Sequence, residues 1–143
     1  MIFSSLVSES ILFMSYHINV LDEAVRNQFF RRVLHTGTKS QLVVMSIPPG
    51  GEVGEEIHQH VEQSLFFQSG VGKVILDGEE SAVSPGDVVV VTPGTRHNFV
   101  NTGTEVWKII TVYAPPNHLD GRIHQTKNDA DADRTDEEFG EER

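Results

Sequence analysis

From Pro48 to Gly103 the chain is broken at short intervals by turn-forming residues, and this punctuation constrains its fold more than any other feature. The breaks are Pro48-Pro49-Gly50-Gly51, Ser69-Gly70, Asp77-Gly78, Ser84-Pro85-Gly86-Asp87, Pro93-Gly94 and Asn101-Thr102-Gly103. Between and around them lie segments rich in β-branched and aromatic residues: 29–34, 41–47, 64–68, 72–77, 87–92, 98–101 and 106–113. Asp77-Gly78 is the strongest hairpin signal, since both residues tolerate the positive φ of a tight two-residue turn. Many short strands with almost no helix between them predict an all-β antiparallel sandwich or barrel. Helix signals are confined to residues 20–30, where Asn19 can cap and Asp22 and Glu23 fall in the first turn. The run Val88-Val89-Val90-Val91 is apolar on both faces, as expected of a strand between two layers or beneath a partner subunit.

The 143 residues suit one domain, read as an extension and short helix (1–28), a β-domain (29–127) and an acidic tail (128–143). Net charge is −10, with eight acids and two bases from Asp129 to Arg143. This balance argues against nucleic acid and anionic membranes as partners, and so acid-rich a tail is expected to be flexible. With no cysteine in the chain, disulfides, thiolate metal sites and thiol nucleophiles are excluded. Residues 1–17 carry no Lys or Arg and only short apolar runs, unlike a signal peptide or membrane span. The expected location is therefore cytoplasmic, with Met14 as an alternative start.

Three of the seven histidines stand apart. His58 and His60 form H-x-H, which on a strand places both imidazoles on one face. His97 follows a Pro-Gly corner, far enough along for a small barrel to return it to the same pocket. His17, His35, His118 and His124 lack ligand-like partners at useful spacing and read as surface or satisfied residues. Glu55 and Glu56 read as a solvated edge.

These residues carry a resemblance to the small single-domain cupins. Their first motif runs glycine, a few residues, H-x-H, an acid, six residues, glycine; here His58, His60 and Gly70 are in place. The second motif is matched by Gly86, Gly94, His97 and Asn101, with Thr92 at the expected proline and Pro93 after it. The resemblance implies a small antiparallel jelly-roll β-barrel, commonly a homodimer, around one divalent metal ion. Where the family has its glutamate, this chain has Gln63, and the stretch from His60 is a residue or two short. Three arrangements are open: Gln63 binds through its amide oxygen, Glu62 takes the role, or the histidines bind alone. The spacing to Gly70 favours Gln63.

The expected metal set is thus His58, His60, Gln63 and His97, which suits iron, nickel, copper or zinc. Met45, Phe99, Trp107 and Tyr113 are expected to line the pocket. The implied function is metal-dependent catalysis on a small molecule, oxygenase-type first and isomerase- or decarboxylase-type second. The alternative is a non-catalytic small-molecule or sugar-binding cupin.

Overall fold

A computed structural model describes residues 14–142; residues 1–13, with the question of a start at Met14, and Arg143 lie outside the described residues. Among the described residues the architecture is two antiparallel sheets and three short helices. Helix α1 (Val20–Arg26) begins at Asn19, whose side chain accepts from the Asp22 N–H, as the capping pattern predicts. The strands are β1 (Arg31–Thr36), β2 (Gln41–Ile47), β3 (Glu62–Ser69), β4 (Gly72–Leu76), β5 (Glu79–Val83), β6 (Val88–Val91), β7 (His97–Asn101), β8 (Trp107–Ala114) and β9 (Ile123–His124). One sheet has the order β6-β3-β8-β2-β1-β9 and the other β5-β4-β7. The sheets form a sandwich with unpaired edges, so the closed barrel implied by the resemblance is not what the strands make. The β4–β5 turn has Asp77 at φ 48° and Gly78 at φ 86°, the tight turn the sequence predicts.

The space between the sheets is filled by Val43, Met45, Ile47, Leu65, Phe67, Val74, Phe99, Trp107 and Ile109. Burial alternates along β7, with His97, Phe99 and Asn101 inward. The Phe67 and Trp107 rings stack at 4.9 Å. Gly72 is required beneath them, because a Cβ there would lie 2.5 Å from the Trp107 ring and 2.6 Å from the Val100 carbonyl. On the outer face of the larger sheet, α1 sets Ala24 against Val44 and Ile110. Strand β6 is an edge that buries one face only: Val91 is covered, while Val88 and Val90 are half exposed beside Phe66.

The C-terminal segment departs from its expected disorder. Residues Lys127–Ala132 and Arg134–Glu141 form helices α2 and α3, docked by acids that composition marks only as solvated. Asp133 accepts two bonds from Arg122 (2.8 and 3.1 Å) and lies 2.9 Å from His124 Nε2. Asp136 is buried, 2.7 Å from His118 Nδ1, and accepts from the Leu119 N–H at 2.7 Å. Ala130 packs on the core. Among the described residues, no helix is long and apolar enough to cross a membrane.

Candidate metal centre

Backbone pairing builds the site. Residues 51–56 run beside the free edge of β7, and Glu56 and His97 exchange both backbone bonds at 2.9 Å. Residues paired in this way present their side chains on one face, and His58 follows two residues after Glu56. The result is a group of three donors, Glu56, His58 and His97, whose ligand atoms lie within 4.8 Å of one another. Glu56 Oε2 is 3.0 Å from His58 Nε2, and the two histidine rings are 5.1 Å apart.

His60 lies elsewhere. The chain bends at residues 59–60 instead of continuing as a strand, so the alternation that should align His58 with His60 ends first, and His60 is exposed. Moving the ligand pair back two residues, to Glu56-x-His58, also restores the length missing before Gln63. The signal that could have found Glu56 was that shortfall.

Gln63 is buried on the inner face, opposite Tyr113 and Val91. Its amide nitrogen donates to Thr111 Oγ1 at 3.1 Å, which leaves its carbonyl oxygen without that bond. Glu62, opposite Ala114, is exposed. Of the expected pocket residues, Tyr113 and Phe99 adjoin the centre, with ring distances of 6.2 Å to His58 and 6.1 Å to His97. Met45 and Trp107 are fully buried in the core.

The electrostatics favour binding. The His97 Nδ1–H donates to the Thr95 carbonyl at 2.8 Å, which fixes the tautomer and turns the Nε2 lone pair to the site. Burial lowers the His97 pKa, so the ring is held neutral. Burial alone would raise the Glu56 pKa, but the bond to His58 and the charge of Arg31 outweigh it and hold the carboxyl near 2. Burial pushes the Tyr113 phenol up to about 12, so it remains an O–H donor. Donors of one ion at ~2.0–2.2 Å must lie within about 4.4 Å of each other, so Glu56, His58 and His97 fit a divalent metal after small adjustments.

A cavity of about 480 Å³ opens in front of Glu56 and His58. Its walls include His60 at the mouth and, on the far side, Asn117, His118 and residues of α3. Arg31, His118 and Asp136 are three functional candidates that sequence reasoning passed over. Only the docking of α3 brings them together, and no local pattern marks it.

Comparison with known proteins agrees with this fold. The model of the cupin domain matches residues 43–113. The protein YrkC of Bacillus subtilis is 36% identical over 119 residues, covering 79% of this chain; the alignment spans 64% of that protein's length. The crystal structure of BH2720 from Bacillus halodurans is similar at 37% identity and a TM-score of 0.82, covering 83% of this chain and 95% of that one. A predicted oxalate decarboxylase from Thermotoga maritima aligns at 25% identity and a TM-score of 0.53, over 55% of this chain and 69% of its own. The chain belongs to the cupin family.

Proposed function

We propose that this cupin is a metal-dependent enzyme acting on a small molecule, with the ion held by Glu56, His58 and His97 and by the amide oxygen of Gln63. The convergence of Glu56, His58 and His97, the first two of them lining a cavity, carries the reading. Two imidazoles and one carboxylate are the donor set of non-haem iron oxygenases, which supports oxygenase-type chemistry ahead of isomerase- or decarboxylase-type chemistry. A bound divalent ion supplies Lewis acidity and, if it is iron, a redox centre. Glu56 reduces the ion's formal charge from +2 to +1, which strengthens metal binding while leaving affinity for anionic ligands. The Thr95 carbonyl and Thr111 hydroxyl orient His97 and Gln63, and Tyr113 offers a protonated hydroxyl beside His58.

The test is reconstitution under nitrogen with iron(II), nickel, copper or zinc, followed by oxygen uptake and NMR-monitored turnover of a small-molecule panel. Turnover by one metal form, lost in His97→Ala, supports the enzyme. A stable metal complex that turns over nothing, yet retains an organic ligand, supports the non-catalytic binder instead. A homodimer belongs to the same proposal, supported by the half-exposed Phe66, Val88 and Val90 along edge strand β6.

A further inference from the structure

The cavity contains a buried cation without a buried counter-ion in contact. Arg31 lies on the inner face of β1, paired with Met45 and His124, and is only 5% exposed. Among the described residues it forms no salt bridge. Its direct contacts are neutral, with Nη1 3.3 Å from His124 Nδ1 and the guanidinium over the Phe30 ring at 5.2 Å, while the Glu56 and Asp136 carboxylates and the Tyr113 phenol feel its charge without forming an ion pair with it. Nε has no acceptor among the described residues. A charge withdrawn from water costs several kcal/mol unless it is paired, and a buried N–H without an acceptor is rare.

Beside it is a second orphan. His118 is 7% exposed, and its Nε2 has no partner among the described residues. Its Nδ1–H donates to Asp136 at 2.7 Å, which leaves Nε2 as a bare lone pair able to accept a hydrogen bond. Burial and the charge of Arg31 keep the ring neutral, lowering its pKa to about 4. Tyr113 joins the two groups, with its ring edge-on to His118 at 4.9 Å and its phenol towards Arg31. Arg31 and His118 both line the cavity that holds Glu56 and His58.

We propose that Arg31 and His118 form the organic half of the substrate site and select a small hydroxycarboxylate, with its carboxylate on the Arg31 guanidinium and its hydroxyl donating to His118 Nε2. This deepens the enzyme reading above and rests on the same cavity. Arg31 is the one Lys or Arg among the described residues lining it, whereas the mouth carries the exposed acids Glu55, Asp131, Glu137 and Glu141. That distribution favours a singly charged carboxylate over a phosphate dianion. Exposed acids are screened over roughly 8–10 Å of electrolyte, so they discriminate by charge without closing the site. Asp136 acts as a positioning residue: through α3 it fixes the His118 tautomer.

The experiment follows the Arg31 Nε–H resonance by ¹⁵N NMR, in metal-free and zinc-loaded protein, during titration with lactate, propionate, lactamide and inorganic phosphate. Lactate should shift the resonance saturably. Propionate, which lacks the hydroxyl, should bind about tenfold more weakly, the worth of one hydrogen bond. Lactamide and phosphate should leave the resonance unmoved. His118→Leu, which removes the acceptor, should bring lactate down to the propionate level; in Arg31→Lys and Arg31→Gln, which lack the observed resonance, titration calorimetry should find lactate binding partly retained in the first and lost in the second. Lactamide or phosphate matching lactate, propionate matching lactate, or no saturable shift would each overturn the subsite. The wild-type comparison stands even if the Arg31 variants fail to fold. Stoichiometric zinc without a lactate shift would overturn the subsite and spare the metal centre; a lactate shift without zinc binding would do the reverse.

Discussion

Asp136→Ala tests whether the acidic C-terminal segment is part of the folded domain. Asp136 is 4% exposed, and its side chain makes two contacts of 2.7 Å, with His118 Nδ1 and the Leu119 N–H. Hydrogen bonds to a charged group contribute ~1.5–3 kcal/mol each, and removal also leaves buried donors unpaired. Two bonds sharing one carboxylate do not add fully, so the expected loss is about 3–4 kcal/mol. For a chain of this size that corresponds to a fall in Tm of roughly 6–15 °C. If α3 undocks before the sandwich melts, the global loss is capped at the docking free energy, and the rest appears as local opening. Calorimetry and amide exchange together read both. Amides of residues 134–141 should lose protection in Asp136→Ala and keep it in the control Glu138→Ala, whose site is exposed and whose effect should stay within ~0.5 kcal/mol. Identical calorimetry and exchange in the two variants would refute the docked tail.

Other perturbations follow from the same contacts. Gly72→Ala, which drives a methyl into the Trp107 ring and the Val100 carbonyl, should cost about 1–3 kcal/mol or more by urea unfolding. Acid should weaken the docking of α3. Burial holds the folded His118 pKa down to about 4, below the 6.5 of a free imidazole, so the unfolded chain takes up the proton first and stability falls as pH drops from 6.5 towards 4. The lowered Asp136 pKa extends the loss to still lower pH, and urea midpoints against pH should be flatter over the upper window in His118→Gln. Val90→Glu on edge strand β6 should convert a dimer to a monomer by light scattering; a wild-type monomer would remove the homodimer proposal.

What the sequence made legible was local. Asp77-Gly78, the Asn19 cap and the strand at 41–47 depend on residues next to one another, and each appears where those residues put it. The candidate metal centre is only partly legible. Alternation was the right principle for placing two donors on one face, but it was applied to His58 and His60, past the point where the chain bends. Glu56 was read as a solvated edge because its partner across the ladder, His97, is remote in sequence. The tail failed for a related reason: Asp133 and Asp136 look like solubilising acids until Arg122, His124 and His118 are brought to them. Val88–Val91 reads in sequence as a strand between two layers or beneath a partner subunit; within the chain it is an edge strand that buries one face, and the second alternative belongs to the homodimer proposal.

Metal content per chain, in protein never exposed to nickel resin, tests the central claim most directly. It should be measured for the wild type and for Glu56→Gln, His58→Ala, His97→Ala and His60→Ala. The account predicts near-stoichiometric divalent metal in the wild type and in His60→Ala, weakened retention in Glu56→Gln, and loss in His58→Ala and His97→Ala. Loss in His60→Ala with full retention in Glu56→Gln would contradict it, as would a wild-type protein that holds no metal after anaerobic reconstitution.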